Sequence, residues 1–135
     1  MILVDTSAWV EFLRATGSPA HTVLRQYLDE NAELHTTDMV VMEVLAGARD
    51  AAHAAKLRQL LMRCTFVPTQ GLADFEQSAD LYRSCRAGGE TIRALADCFI
   101  AAVAIRCNLE LLHADRDFDA LARHTTLRLH PAIKS

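Results

Sequence analysis

The sequence predicts an α/β protein, a single domain with a mainly parallel sheet covered by helices on both faces. Three observations carry that expectation. Short apolar runs recur along the chain, beginning with Ile2-Leu3-Val4, and segments of helical periodicity alternate with them. Acidic residues close the first and fourth of these runs, at Asp5 and Asp115, which is the strand end where open parallel sheets build their sites. The chain has 135 residues, 51% of them apolar types, which suffices for one domain with a real core.

Taken in order, residues 2–4 read as a strand buried on both faces. Ser7 can cap a helix running to about Leu13. Gly17-Ser18-Pro19 breaks the chain, and Pro19 suits the first turn of a helix reaching Glu30, with Val23, Leu24, Tyr27 and Leu28 at helical spacing. Residues 33–36 read as a second strand, and Thr37-Asp38 begins a helix with Val40, Val41, Val44 and Leu45 on one side. Residues 51–63 form a further helix whose apolar face holds Leu57, Leu60 and Leu61. Thr65-Phe66-Val67 is a third strand, stopped by Pro68. A long helix over 72–86 carries Phe75, Ala79 and Tyr82 on one face, and Gly88-Gly89 ends it. The next helix, over 94–106, is apolar nearly all round (Leu95, Phe99, Ile100, Val103, Ile105), which predicts burial. Residues 109–113 are a fourth strand, 117–123 a short helix and 127–129 a fifth strand. No internal repeat, low-complexity tract or interdomain linker interrupts this order.

Composition sets the class. The formal net charge of −3 gives no basic-protein signature, so bulk charge does not indicate a nucleic-acid partner, although a metal cluster and a local Arg patch can supply a positive field. The opening residues lack the basic n-region of a signal peptide. No apolar run approaches the ~20 residues of a membrane span. A cytoplasmic protein is expected. The four cysteines form no C-x-x-C pair and none has a His at zinc-finger spacing, so buried or half-buried free thiols are expected.

Asp5, Glu43, Asp97 and Asp115 are the informative residues. Asp5 and Asp97 sit against strongly apolar sequence, where an unpaired carboxylate is costly. Gathered by the fold, such acids repel, and one or two divalent cations offset the repulsion. Oxygen ligands suit Mg2+ or Mn2+, and such sites act on phosphate esters. Asp97 occupies the first turn of the buried helix, where the helix dipole favours an anion. Asp117 flanks Arg116 opposite Asp115, and either acid can serve as a helix cap. Thr6 and Ser7 can hold a water or a phosphate oxygen. His113, beside Asp115, reads as a polar strand-end residue. Arg93, one helical turn before Asp97, and Arg116 are the leading phosphate contacts, with Arg14, Arg83 and Arg86 as others.

Four segments together resemble the PIN-domain family, specifically the VapC toxins of bacterial toxin–antitoxin pairs. They are Ile2-Leu3-Val4-Asp5-Thr6-Ser7-Ala8-Trp9, Met42-Glu43-Val44-Leu45-Ala46-Gly47, the stretch from Gly89 to Ala102 containing Asp97, and His113-Ala114-Asp115-Arg116-Asp117-Phe118. The resemblance implies a PIN-like three-layer α/β/α sandwich and a Mg2+- or Mn2+-dependent endoribonuclease that cuts a tRNA or rRNA loop. By motif, Asp5, Glu43, Asp97 and Asp115 are its catalytic acids. Asp5, Asp97, Asp115 and the auxiliary Asp117 hold metal, and Ser7, Arg93 and Arg116 meet substrate. It also implies a homodimer, a VapB-type antitoxin and higher toxin–antitoxin assemblies. Many relatives carry Thr where this chain has His113.

Three other classes compete. A haloacid-dehalogenase-like phosphatase requires a second Asp two residues after the first, where this chain has Ser7. A non-catalytic PIN-like scaffold would show loss of one or more acids, and all are present. A phosphorylation-switched receiver domain needs a basic partner that the late Lys134 does not match.

Overall fold

Four short strands, β1 (Ile2–Val4), β2 (Leu34–Thr36), β3 (Thr65–Phe66) and β4 (Glu110–Leu112), pair in parallel in the order β3-β2-β1-β4. The computed structural model describes residues 1–132, so Lys134 lies outside the described residues. Leu3 stands opposite His35 on one side and Leu111 on the other. The apolar run 2–4 is central for a physical reason: Leu3 and Val4 are fully buried, which only a strand flanked on both edges and both faces achieves.

Helices α1 (Thr6–Leu13) and α2 (Pro19–Asp29) join β1 to β2, and α3 (Asp38–Ala46) and α4 (Ala51–Leu61) join β2 to β3. The chain then returns through α5 (Gly71–Ala87) and α6 (Leu95–Arg106) to lay β4 on the far side of β1, and α7 (Arg116–His124) follows. α1 packs on α2 and α3, α3 on α4, and α5, α6 and α7 on one another, giving the expected three-layer α/β/α sandwich. Strand order reverses between β1 and β4, so their C-terminal ends flank a topological switch point. α6 is the buried helix its composition predicts, with every residue from Cys98 to Ala104 in the core. The four cysteines are free, two buried and two half-buried, as expected.

Several expectations need correction. The fifth strand shrinks to a single bridge between Leu111 and Leu129. The cap of α1 is Asp5, whose side chain accepts from the Ser7 amide, rather than Ser7. Leu95, at the exposed start of α6, faces outward at 62% exposure. The apolar face assigned to α5 is also wrong. Asp74, Ser78, Leu81 and Cys85 point inward, while Phe75 and Ala79 lie outside and Tyr82 is half-buried. The reason is an ion pair at the buried Asp74 carboxylate, which apolar counting cannot see. Arg106 at the end of α6 donates through Nε to Asp74 Oδ1 and through Nη2 to Asp74 Oδ2, each at 3.0 Å. The Gln70 amide adds a third donor at 2.7 Å, and Ser78 Oγ donates to the Asp74 carbonyl at 2.6 Å.

The turn between α5 and α6 is held just as closely. Glu90 accepts from Arg123 Nε at 3.0 Å and Nη2 at 2.6 Å, and pairs with His124 Nε2 at 2.7 Å. A Cβ at Gly88 would lie 2.3 Å from the His124 ring, and Gly89 has φ +89°, so both glycines are required there.

Asp74→Ala should therefore destabilise the protein by about 2 kcal/mol, because it removes the buried acceptor shared by the Arg106 guanidinium and the Gln70 amide. Ala79→Ser, on the face the periodicity favours, should change stability by less than about 0.5 kcal/mol. Chemical denaturation of the two variants measures the contrast.

Candidate active site

Asp5 begins the site. Its amide donates to Leu112 O at 2.9 Å, fixing the end of β1 to the end of β4. Its Oδ2 accepts from the Ser7 amide at 2.8 Å and the Ser7 hydroxyl at 2.5 Å. The Ser7 oxygen in turn accepts from the Ala114 amide at 2.9 Å. Asp5 is 3% exposed, and its Oδ1 is buried with no hydrogen-bond partner. Burial pushes its carboxyl up to about 6, with the charge of Glu43 adding to the rise against the Ser7 donors.

Glu43 reaches the same region from the middle of α3, where its Oε1 accepts from Thr6 Oγ1 at 2.7 Å. Asp97 is the third residue of α6, half-buried. Its carboxyl is pushed up to about 7, first by burial and then by the charges of Asp5, Asp115, Asp117 and Glu43. Asp97 therefore feels the charge of each of the other four acids, although the helix N-terminus partly favours its anion.

Asp115 and Asp117 come from the start of α7. Asp115 caps the helix by accepting the Asp117 amide on Oδ1 at 2.9 Å. Asp117 is 7% exposed and accepts the Arg93 amide at 3.0 Å and Arg93 Nε at 3.2 Å on Oδ2. Arg93 Nη2 reaches Asp115 Oδ1 at 2.9 Å. One carboxylate oxygen each from Asp97, Asp115 and Asp117 lies within 4.8 Å of the others. Carboxylate oxygens at that spacing fit a hard divalent cation such as Mg2+ or Mn2+, and the orphaned Oδ1 of Asp5 at the end of β1 is a further unpaired acceptor.

Of the other residues the sequence singles out, Ser7 and Arg116 lie at this cluster, whereas Arg14, Arg83 and Arg86 do not. Ser7 is at its floor, with its hydroxyl already engaged on both sides. Arg116 is exposed at the rim, lining one cavity with Asp115 and Ser18 and another with Asp117 and Arg93. Arg14 lines a separate groove with Glu43 and Arg49. Arg83 pairs with Asp80, and Arg86 lies over the Tyr82 ring, so both belong to the surface of α5.

His113 is more than a polar strand end. It is 1% exposed, and its Nδ1 accepts from the Asp115 amide at 3.0 Å. That bond fixes the neutral tautomer with its proton on Nε2, which faces Asp119 Oδ1 at 3.6 Å. Burial holds the imidazole below its ordinary value, which keeps it in that form. His113 thus orients the loop that carries Asp115. Asp119 went unremarked in the sequence, where its place one helical turn after Asp115 is the only signal.

Known proteins resemble this chain in sequence and in fold. Residues 2–124 match the PIN domain family. The chain is 43% identical over 129 residues to Ribonuclease VapC11 of Mycobacterium tuberculosis (strain ATCC 25618 / H37Rv), covering 95% of this chain and 96% of that protein. Among solved structures, VapBC-1 from nontypeable Haemophilus influenzae superposes with a TM-score of 0.73 at 16% identity, covering 99% of this chain and 100% of the other. Mycobacterium tuberculosis VapC20, a sarcin–ricin loop cleaving toxin, gives a TM-score of 0.62 at 21% identity, covering 95% and 99%. With Asp5 at the end of β1, Asp97 and Asp115 at helix starts and Glu43 in the middle of α3, the chain belongs to the PIN-domain family, in its VapC group.

Proposed function

We propose that this protein is an endoribonuclease toxin that hydrolyses phosphodiester bonds in a structured RNA, a tRNA or rRNA loop, using Mg2+ or Mn2+. The observation that carries the reading is the meeting of Asp97, Asp115 and Asp117 oxygens within 4.8 Å, with Asp5 and Glu43 adjoining. The ribonuclease and loop-cleaving activities of the VapC relatives support the same reaction class. A VapB-type antitoxin is the matching inhibitor, as the VapBC-1 complex suggests by analogy.

Asp5, Asp97 and Asp115 would hold the ion, with Asp117 behind them and Glu43 orienting the attacking water. A divalent ion there supplies Lewis-acid polarisation of the phosphoryl oxygen and a more acidic water. Ser7 keeps the Asp5 carboxylate aimed by donating to it while holding Ala114. This occupied hydroxyl supports a positioning role at the edge of the substrate site. Arg93 and Arg116 lie where RNA phosphates would approach. Phe75 and Leu95, 58% and 62% exposed, give a homodimer or larger toxin–antitoxin assembly an apolar face. The compartment of action would be the cytoplasm.

Three outcomes test the reading. Asp97→Asn should stay folded and lose at least about a hundredfold in RNA cleavage, the scale of removing a group used only in the transition state. Undiminished cleavage, followed on the cellular RNA by 5′-end sequencing, would sink the assignment. In Asp97→Asn protein, adding Arg116→Gln should weaken RNA binding and lower the salt slope by about one unit, as titration at several salt concentrations would show. The native carboxyls of Asp5 and Asp97, at about 6 and about 7, both stand above the ordinary 3.8. The folded metal-free protein therefore binds more protons than the unfolded chain between about pH 4 and pH 7. Its Tm in EDTA should fall as pH rises through that window, and Mn2+ should restore it at pH 7.5.

A further inference from the structure

Arg93 is bound to the acid cluster in an unequal way. Its backbone amide and Nε hold Asp117, whose side chain is 9% exposed, whereas its Nη2 end holds Asp115, whose side chain is 29% exposed. The Asp117 end is anchored, because the amide bond fixes the backbone of Arg93 and Glu90 ties the same loop to Arg123 and His124. The Asp115 end is a partly exposed ion pair, and such pairs are weak. No cation pairs with Asp5 or Asp97 among the described residues, so Arg93 is the one positive group that touches the cluster.

We propose that Arg93 is the resident cation of the acid cluster, bridging Asp117 and Asp115 until a divalent ion displaces its Nη2 end from Asp115 and frees that end for an RNA phosphate. The inference rests on the divalent-ion reading given above and adds a regulation of the same site. The guanidinium suits the task because its planar fork can keep Nε on Asp117 while the terminal nitrogens change partner. Ion binding and phosphate binding are thereby coupled. An arm spent on Asp115 contributes nothing to RNA, and the ion that makes cleavage possible also releases the arm.

The test is direct Mn2+ binding to the full metal-free chain, read from the loss of the free Mn2+ electron paramagnetic resonance signal without RNA. Arg93→Gln removes the competitor and should bind Mn2+ roughly two- to fivefold more tightly than the unaltered protein, the range that partly exposed ion pairs span. Arg93→Lys keeps the charge but loses the fork, and should shift the same way. It also covers the case in which the Gln variant does not fold, which melting in EDTA reveals. Arg116→Gln removes an equal charge that bridges no acids and should leave Mn2+ affinity unchanged. Affinity for either Arg93 variant at or below that of the unaltered protein, or an equal gain in Arg116→Gln, would overturn the proposal. No Mn2+ binding by any of the four proteins would overturn the divalent-ion reading itself, and this inference with it.

Discussion

A bridge of two hydrogen bonds, from the Asp5 carboxylate through the Ser7 hydroxyl to the Ala114 amide, joins the end of the first strand to the loop after the last. Beside it, the Asp5 amide closes onto Leu112. The other acids depend on this seam. Asp115 and Asp117 follow Ala114 at the start of α7, and His113, just before it, accepts the Asp115 amide. Thr6, next to the bridge, reaches across to Glu43. The carboxylates are thus held by hydrogen bonds against their mutual repulsion, and burial, with that repulsion added, raises the carboxyls of Asp5 and Asp97 to about 6 and about 7.

That repulsion is tolerated because the surrounding frame is over-determined. α6 is packed on nearly every side, so Asp97 at its start cannot retreat into solvent by tilting the helix. The Arg106 network ties the start of α5 to the end of α6, the Glu90 network holds the turn between the two helices, and Arg93 is thereby presented to Asp117 from a fixed stem. Rigid presentation of the acids favours a bound cation, since little ordering remains to be done when one arrives.

Much of this was legible in the sequence where local rules and tertiary demands agree. The run Ile2-Leu3-Val4 could only be a central strand, and the all-apolar turn sequence after Asp97 could only be a buried helix. Asp5 and Asp97 stood out for that reason. The reading failed where polar groups are buried with distant partners. Asp74 and Ser78 look like a solvated face until Arg106, 32 residues away, is placed against them. His113 looks like a strand-end polar residue until its ring is found beneath the Asp115 amide. Ser7 looked like a cap, but Asp5 two residues earlier took that role and drew the hydroxyl into the seam. The last apolar run, Leu127 to Leu129, has the composition of a strand but meets β4 through a single bridge.

The strand order β3-β2-β1-β4 has a further consequence for how the molecule comes into being. The first strand made must wait for the fourth before its second edge is covered, and these partners lie more than a hundred residues apart in the chain. Pairings that span such lengths form late, because the intervening chain must first be ordered. Asp115 and Asp117 arrive with that last strand. An unfinished chain emerging during its own synthesis therefore holds Asp5, Glu43 and even Asp97 without the rest of the cluster. The full set of acids stands together only once β4 has joined the sheet and brought the start of α7 with it.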